Sequence, residues 1–401
     1  MPPSAWGRTP AAFLAGGPTL SDLATPVLTV DDGAVGANTA LLAAWAASRG
    51  LGLAPHGKTS MAPALWRRLL EAGAWGLTLA TPWQVQVARA AGVPRVLLAN
   101  ELLDPVGIDW LCRELDRDPG FVFLCWADGV EAVALLADAV RAAGCSRRVD
   151  VLVELGGAGG RTGARTLDDA RAVAAAIERS RGLRLAGVAG YEGALAHDRS
   201  DTALATVRGY LERMRDLARE LAPRIEGRPV MSAGGSAYPD LVAAVLGPDA
   251  ADATVLLRSG AYQLHDSGFY ARISPFGDGG DGPRLRPALH VWSRVLSRPE
   301  PDLAILDAGR RDLPFDEGLP VAERIRGRDA AALAGSRIER LNDQHAFLRL
   351  DPARTGLAVG DVVRLGISHP CTALDKWRLL PVVDDADAAE PRILDLAPTV
   401  F

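Results

Sequence analysis

Lys58 stands in the run Pro55-His56-Gly57-Lys58-Thr59-Ser60-Met61-Ala62-Pro63, between an apolar stretch and the helix-like segment Ala64 to Ala72. A short extended run ending in Pro-His-Gly sets the lysine amine at the C-terminal mouth of a strand, where parallel α/β folds gather their chemistry. An amine there can form a Schiff base with an aldehyde such as pyridoxal phosphate. Most lysines are solvated surface groups, but this one and Lys376 are the only lysines among 44 Lys and Arg residues. A chain that avoids lysine and keeps one beside His-Gly points to a chemical requirement. A second pair lies far downstream, in Ser368-His369-Pro370-Cys371. On an extended strand, side chains two residues apart project to the same side. An imidazole and a thiolate so placed suit zinc, although an isolated His-x-Cys pair is common by chance.

An anionic cofactor also needs donors. Met231-Ser232-Ala233-Gly234-Gly235-Ser236 follows a candidate strand and opens the segment Asp240–Leu246, so bare backbone N–H groups would face an anion at a helix start. A glycine-rich loop, Glu154-Leu155-Gly156-Gly157-Ala158-Gly159-Gly160-Arg161-Thr162-Gly163, ends another strand. Its glycines permit close backbone approach. Each loop taken alone also reads as an ordinary turn.

Taken together and in this order, these strings resemble the D-serine dehydratase and D-threonine aldolase family, alanine-racemase-like pyridoxal phosphate enzymes, and most closely its bacterial amino acid deaminase branch. The resemblance runs from Thr25-Pro26-Val27-Leu28 to His369-Pro370-Cys371. It implies that Lys58 carries the cofactor; His56, two residues away, reads as orienting the lysine loop. It implies that Gly234, Gly235 and Ser236, with Gly260 and Tyr262 of Leu257-Arg258-Ser259-Gly260-Ala261-Tyr262, share the phosphate. Arg161 is implied to bind the ring's substituents or a substrate carboxylate, and Tyr191 of Tyr191-Glu192-Gly193 to lie beside the pyridine nitrogen. The metal pair becomes His369 and Cys371. Cysteine in the second position is the dehydratase-like choice and suits zinc, whereas aspartate, usual in the aldolases, suits manganese or magnesium. His345, in Asn342-Asp343-Gln344-His345-Ala346, falls where the family has an active-site histidine, but Asp343-Gln344 and Ala346 depart from the Glu-Glu-His-Gly pattern. His197, His265 and His290 read as structural or solvent-exposed.

These groups need a scaffold. Short apolar runs alternate with alanine-rich amphipathic segments from residue 26 to about 265, a βα rhythm. Strands are expected at Val27–Val30, Leu51–Ala54, Gly76–Ala80, Arg95–Ala99, Phe121–Trp126, Val149–Leu155, Leu185–Tyr191, Pro229–Ala233 and Ala253–Leu257. The pattern fits either a (β/α)8 barrel or a doubly wound sheet, and the resemblance selects the barrel. After Tyr270 the rhythm gives way to Pro and Gly over Ser274–Pro287 and then to strand-like pieces. The expected division is a barrel over 25–268 and a mostly β domain over 269–401, with 1–24 packing on the latter.

A length of 401 residues with 48% hydrophobic content allows a large core. A net charge of −5 without like-charge runs gives no basic stripe for nucleic acid. No apolar run reaches the ~20 residues that span a bilayer. The N-terminus lacks a signal-peptide pattern, so the cytoplasm is expected. The four cysteines form no disulfide framework. The function implied is a lyase acting on a small D-amino acid, a dehydratase releasing a 2-oxo acid and ammonia, with aldol cleavage as the alternative. A pyridoxal phosphate carrier protein would lack the β domain and metal pair. The family further implies a homodimer.

Overall fold

The computed structural model describes residues 2–277, 282–351 and 356–401; part of the Ser274–Pro287 stretch thus lies outside the described residues. The chain divides into two compact units. A β unit comprises Met1–Leu41, Thr59–Arg68 and Ala261–Phe401, and a barrel unit comprises Leu42–Lys58 and Leu69–Gly260. The expected single boundary near residue 268 is therefore replaced by several crossings of the chain.

The first strand, β1 (Val27–Asp31), reads in sequence as the opening strand of the barrel, but it belongs to the β unit. It runs antiparallel to the strand Leu289–Glu300 and parallel to Leu379–Val383. Every residue of β1 is buried, so its apolar run fits any buried sheet and its partners decide which. One is specific: the Trp292 indole N–H donates to the Thr29 hydroxyl at 2.9 Å.

The barrel unit holds eight strands: β2 (Gly52–Leu53), β3 (Leu77–Leu79), β4 (Arg95–Glu101), β5 (Val122–Ala127), β6 (Val149–Leu155), β7 (Leu183–Gly190), β8 (Val230–Ala233) and β9 (Thr254–Leu257). All pair in parallel, in the order β2-β9-β8-β7-β6-β5-β4-β3. The ends of this row meet through a parallel bridge between His56 and Thr78, where the Thr78 N–H donates to the Pro55 carbonyl at 2.8 Å. The eight strands form a ring, the expected (β/α)8 arrangement. Burial on both faces explains their apolar runs; β7, for example, is buried at all but one position. Helices such as Leu167–Arg179 and Asp201–Leu221 connect them. The former starts with a capping box, Asp169 N–H donating to Thr166 Oγ1 at 3.1 Å and Thr166 N–H to Asp169 Oδ2 at 3.3 Å, a device whose loss typically costs about 1 kcal/mol.

The β unit adds β10 (Leu289–Glu300), β11 (Leu303–Leu306), β12 (Val321–Ile325), β13 (Arg337–Leu341), β14 (Ala346–Arg349), β15 (Val362–Gly366), β16 (Leu379–Val383) and β17 (Ile393–Pro398). Its main row runs β13-β14-β11-β10-β1-β16-β17, and β15 pairs with β10 and β12. Phe13, Leu20 and Leu23 from the N-terminal segment join Trp292, Val383 and Leu396 in one of its cores. Burying a side chain of this size contributes about 2–3 kcal/mol. Among the described residues no helix is long and apolar enough to cross a membrane.

Candidate active site

Lys58 lies in the single 3-10 turn Gly57–Thr59 that follows β2 and is half-buried. Its neighbour His56 is pinned by backbone: a Cβ on Gly260 would come within 2.6 Å of the His56 Cβ, so only glycine fits there. The pKa of His56 is held well below the ordinary imidazole value, first by burial and then by the positive charges of Lys58, Arg258 and Arg161. Four cationic or imidazole groups predicted from separate loops, or passed over in them, therefore converge on one part of the barrel. Such a field favours an anionic ligand.

Arg161 and Tyr191 meet directly, the guanidinium lying 5.1 Å from the phenol ring centroid. The glycine-rich loop before Arg161 is tied down by Arg165, which donates to the Thr162, Gly163 and Arg161 carbonyls. Gly234 takes a φ of +98°, a left-handed conformation that suits glycine. Its N–H and that of Gly235 are not bare as the sequence suggests. They donate to the two carboxylate oxygens of Glu192, at 3.0 and 2.7 Å. Glu192 is fully buried, so the loop's shape is set by a carboxylate from the end of the neighbouring strand. Beneath it, the buried Arg258 donates to Ser232 Oγ at 2.9 Å and to the Gly190 carbonyl at 2.6 Å and lies 4.9 Å from the Trp126 ring.

Three carboxylates crowd the ends of adjacent strands. Glu101, Asp128 and Glu154 have oxygens all within 4.8 Å of one another. Burial first, and Glu101 next, push the Glu154 carboxyl up to about 8. Glu154 accepts from Thr162 Oγ1 at 3.0 Å and Asp128 from the Gly163 N–H at 3.1 Å, which fastens the glycine-rich loop to the strand ends.

In the β unit, His369 and Cys371 are brought together, but not on a strand. His369 is the extended N-cap of a helix, Pro370–Leu374, and Cys371 sits in its first turn. Pro370 explains the difference, since its fixed φ and missing N–H suit the first helical position. The thiol still reaches the imidazole, and together with Asp316 it raises the His369 pKa to about 9 although burial opposes the charge. The Cys371 thiol also donates to Thr59 Oγ1 at 3.4 Å. His369 Nδ1 is 2.7 Å from Asp316 Oδ2. Asp266 lies close enough to feel the His369 charge, and burial pushes its carboxyl up to about 6 despite three backbone N–H donors.

Tyr262 is buried in the turn Ala261–Gln263 of the β unit. His345 lies exposed in the turn between β13 and β14, its carbonyl accepting from the Asn342 N–H at 2.8 Å. His197 is exposed and His265 buried. His290 pairs with Glu323 at 3.0 Å. Sequence reasoning passed over Glu192, Arg258 and Asp316. The first two stand inside strings it quoted, and only their charge at a strand end marked them.

Two family models match the chain. One, described as alanine racemase, N-terminal domain, covers residues 30–239, and the other, "Putative serine dehydratase domain", covers residues 288–383. The sequence is 30% identical over 360 residues to D-threonine aldolase of Arthrobacter sp, spanning 88% of this chain and 87% of that one. The chain belongs to the D-threonine aldolase and D-serine dehydratase family. It is a lyase of D-amino acids. Another relative in this family is 3-hydroxy-D-aspartate aldolase of Paracoccus denitrificans (strain Pd 1222), 26% identical over 89% of this chain and 88% of that one. In structure the chain is similar to D-threonine aldolase from Filomicrobium marinum, with a TM-score of 0.80 at 26% identity over 96% and 97% of the two chains. The fold is shared with D-threo-3-hydroxyaspartate dehydratase from Delftia sp. HT23, with a TM-score of 0.76 at 22% identity over 96% and 99%.

The residues present fit the family's cofactor, pyridoxal phosphate. His56 Nδ1, Trp126 Nε1 and Arg258 Nε are buried with no hydrogen-bond partner among the described residues. All belong to residues at or just beyond the C-terminal ends of barrel strands. Buried polar atoms left in this way call for a polar ligand, and the surrounding positive charge calls for an anion.

Proposed function

We propose that this chain is a pyridoxal phosphate- and zinc-dependent dehydratase that converts a β-hydroxy-D-amino acid, such as D-serine, D-threonine or a bulkier relative, to a 2-oxo acid and ammonia. The observation that carries it is His369 at the N-cap and Cys371 in the first turn of one short helix, a nitrogen and sulfur donor set suited to zinc in preference to manganese or magnesium. Bound at Lys58 the cofactor draws electrons from the substrate's Cα, and bound by His369 and Cys371 zinc polarises the β-hydroxyl as a leaving group. Lys58 Nζ would be the base that receives the substrate's Cα proton. His56, kept neutral, positions the lysine turn. Arg161 holds the substrate carboxylate or the ring oxygen, and Tyr191 offers a phenol to the pyridine nitrogen. Ser236, Gly260 and Tyr262 hold the phosphate with the Gly234-Gly235 turn shaped by Glu192. His345, exposed on its own subunit, serves the site of a second copy in a homodimer.

A second reading, aldol cleavage to glycine and an aldehyde, is favoured by the aldolase activities of the Arthrobacter and Paracoccus relatives. Product analysis on a panel of β-hydroxy-D-amino acids separates the two. A 2-oxo acid and ammonia are expected. Cys371→Ala should lower zinc content and elimination together while leaving the cofactor bound, and Cys371→Asp should shift metal preference toward manganese. Glycine and aldehyde as the main products, or full activity after chelation, would replace the dehydratase by the aldolase reading or remove the metal from it.

A further inference from the structure

We infer that Asp316 is a positioning residue for the metal site: its carboxylate takes the Nδ1 proton of His369 and so presents the lone pair of Nε2 to the metal. The inference rests on the proposed role of His369 and Cys371. Asp316 Oδ2 lies 2.7 Å from His369 Nδ1. Its second oxygen is occupied by the Thr372 hydroxyl, which donates to Oδ1 at 2.6 Å. With its proton committed to Asp316, Thr372 Oγ1 offers only a lone pair to His369 Nδ1, at 3.3 Å, so both neighbours of that nitrogen are acceptors. A carboxylate accepts and never donates, so when a metal displaces the Nε2 proton the imidazole keeps its remaining proton on Nδ1, facing the acceptor. Nε2 is left as the ligating nitrogen. The ring plane is fixed as well. Tyr270 packs edge-on to the imidazole, with ring centroids 6.3 Å apart at 67°. The loop bearing Asp316 is tied back by Ser368 Oγ, which donates to the Gly318 carbonyl at 2.6 Å. Oriented acceptors behind a ligating histidine usually govern metal affinity.

The test is zinc titration of the cofactor-loaded, metal-stripped enzyme against a chromophoric chelator, with the cobalt(II) spectrum and cofactor absorbance as further readouts. Asp316→Asn, similar in size but able to donate to Nδ1 and so select the wrong tautomer, should lower zinc affinity by about 10–100-fold. It should also alter the cobalt ligand-field bands, with cofactor absorbance unchanged. Asp316→Ala should fall at least as far, and if it misfolds the asparagine variant decides alone. Thr372→Val, which removes only the hydroxyl tie, should bind zinc as the wild type does. His369→Ala and Cys371→Ala anchor the comparison. Wild-type affinity in those two overturns the metal reading itself. Loss in them but not in Asp316→Asn overturns the positioning role alone, and an equal loss in Thr372→Val reduces Asp316 to a loop tie.

Discussion

At the scale of single residues, Lys58 is isolated by chemistry as well as by position. Borohydride treatment of the loaded enzyme should fix a pyridoxyl group on Lys58 and leave Lys376 unlabelled, which peptide mass mapping reads directly; a label confined to Lys376 would refute the assignment. Glu154 gives a second expectation. Its folded carboxyl is raised from 4.5 to about 8, so between those values the unfolded chain releases a proton that the folded one keeps. Stability from this group is therefore fully present below pH 4.5 and lost as pH rises through about 8. Melting temperatures should fall over that window and fall less steeply in Glu154→Gln; identical slopes would exclude Glu154 as the source. Lys58, Arg161, His369 and Cys371 were legible because rare residues or glycine-rich strings marked them. Asp316 was not, since it reaches His369 across 53 positions from an irregular loop with no pattern of its own. Glu192 escaped for a related reason: the sequence shows two glycines with bare N–H groups, and only the fold brings a carboxylate to fill them.

Among the elements, the strands buried on both faces were readable as apolar runs, and the half-exposed ones were not. β12 (Val-Ala-Glu-Arg-Ile) and β13 (Arg-Ile-Glu-Arg-Leu) interleave charges with apolar residues and pass for surface loop. The same principle explains the misplacement of β1, whose uniform burial carries no mark of the sheet it joins. β12 also delivers the carboxylate that locks three strands. Glu323 accepts from Ser267 and faces His290 at 3.0 Å and Arg364 at 2.8 Å. Burial opposes its charge, yet His290 and Arg364 bring the carboxyl down to about 2. Its contribution is thus present above pH 4.5 and lost as pH falls toward about 2. Glu323→Gln should cost about 1.5–3 kcal/mol in urea unfolding at neutral pH, because it removes one of the two carboxylates that Arg364 faces and leaves it Asp387 at 2.7 Å. The deficit should shrink in acid, and a deficit independent of pH would point to packing instead.

For the molecule as a whole, a change of rhythm after Tyr270 does not reveal that Met1–Leu41 and Thr59–Arg68 are grouped with the distant C-terminal half. The proposed homodimer has a direct test. Lys58→Ala and His345→Ala are each expected to be nearly inactive. If His345 serves the partner's site, mixing the two after reversible dissociation should recover about a quarter of wild-type activity, since half the dimers are mixed and each of those holds one intact site. No recovery, with mixed dimers shown to form, would return His345 to its own subunit or to the surface. One feature of the barrel bears on how the enzyme moves. The ring of strands closes at two-residue β2, through the bridge from His56 to Thr78 and the Trp75 N–H donating to the Leu53 carbonyl at 2.7 Å, two residues from Lys58, the proposed cofactor lysine. Few backbone bonds hold that closure, so slow breathing of the barrel starts there, and amide deuterium uptake at Thr78 should outpace that of β6 and β7. If the proposed cofactor is bonded to Lys58, it is a clasp on this seam, and its loading should be felt first as slower exchange at the join.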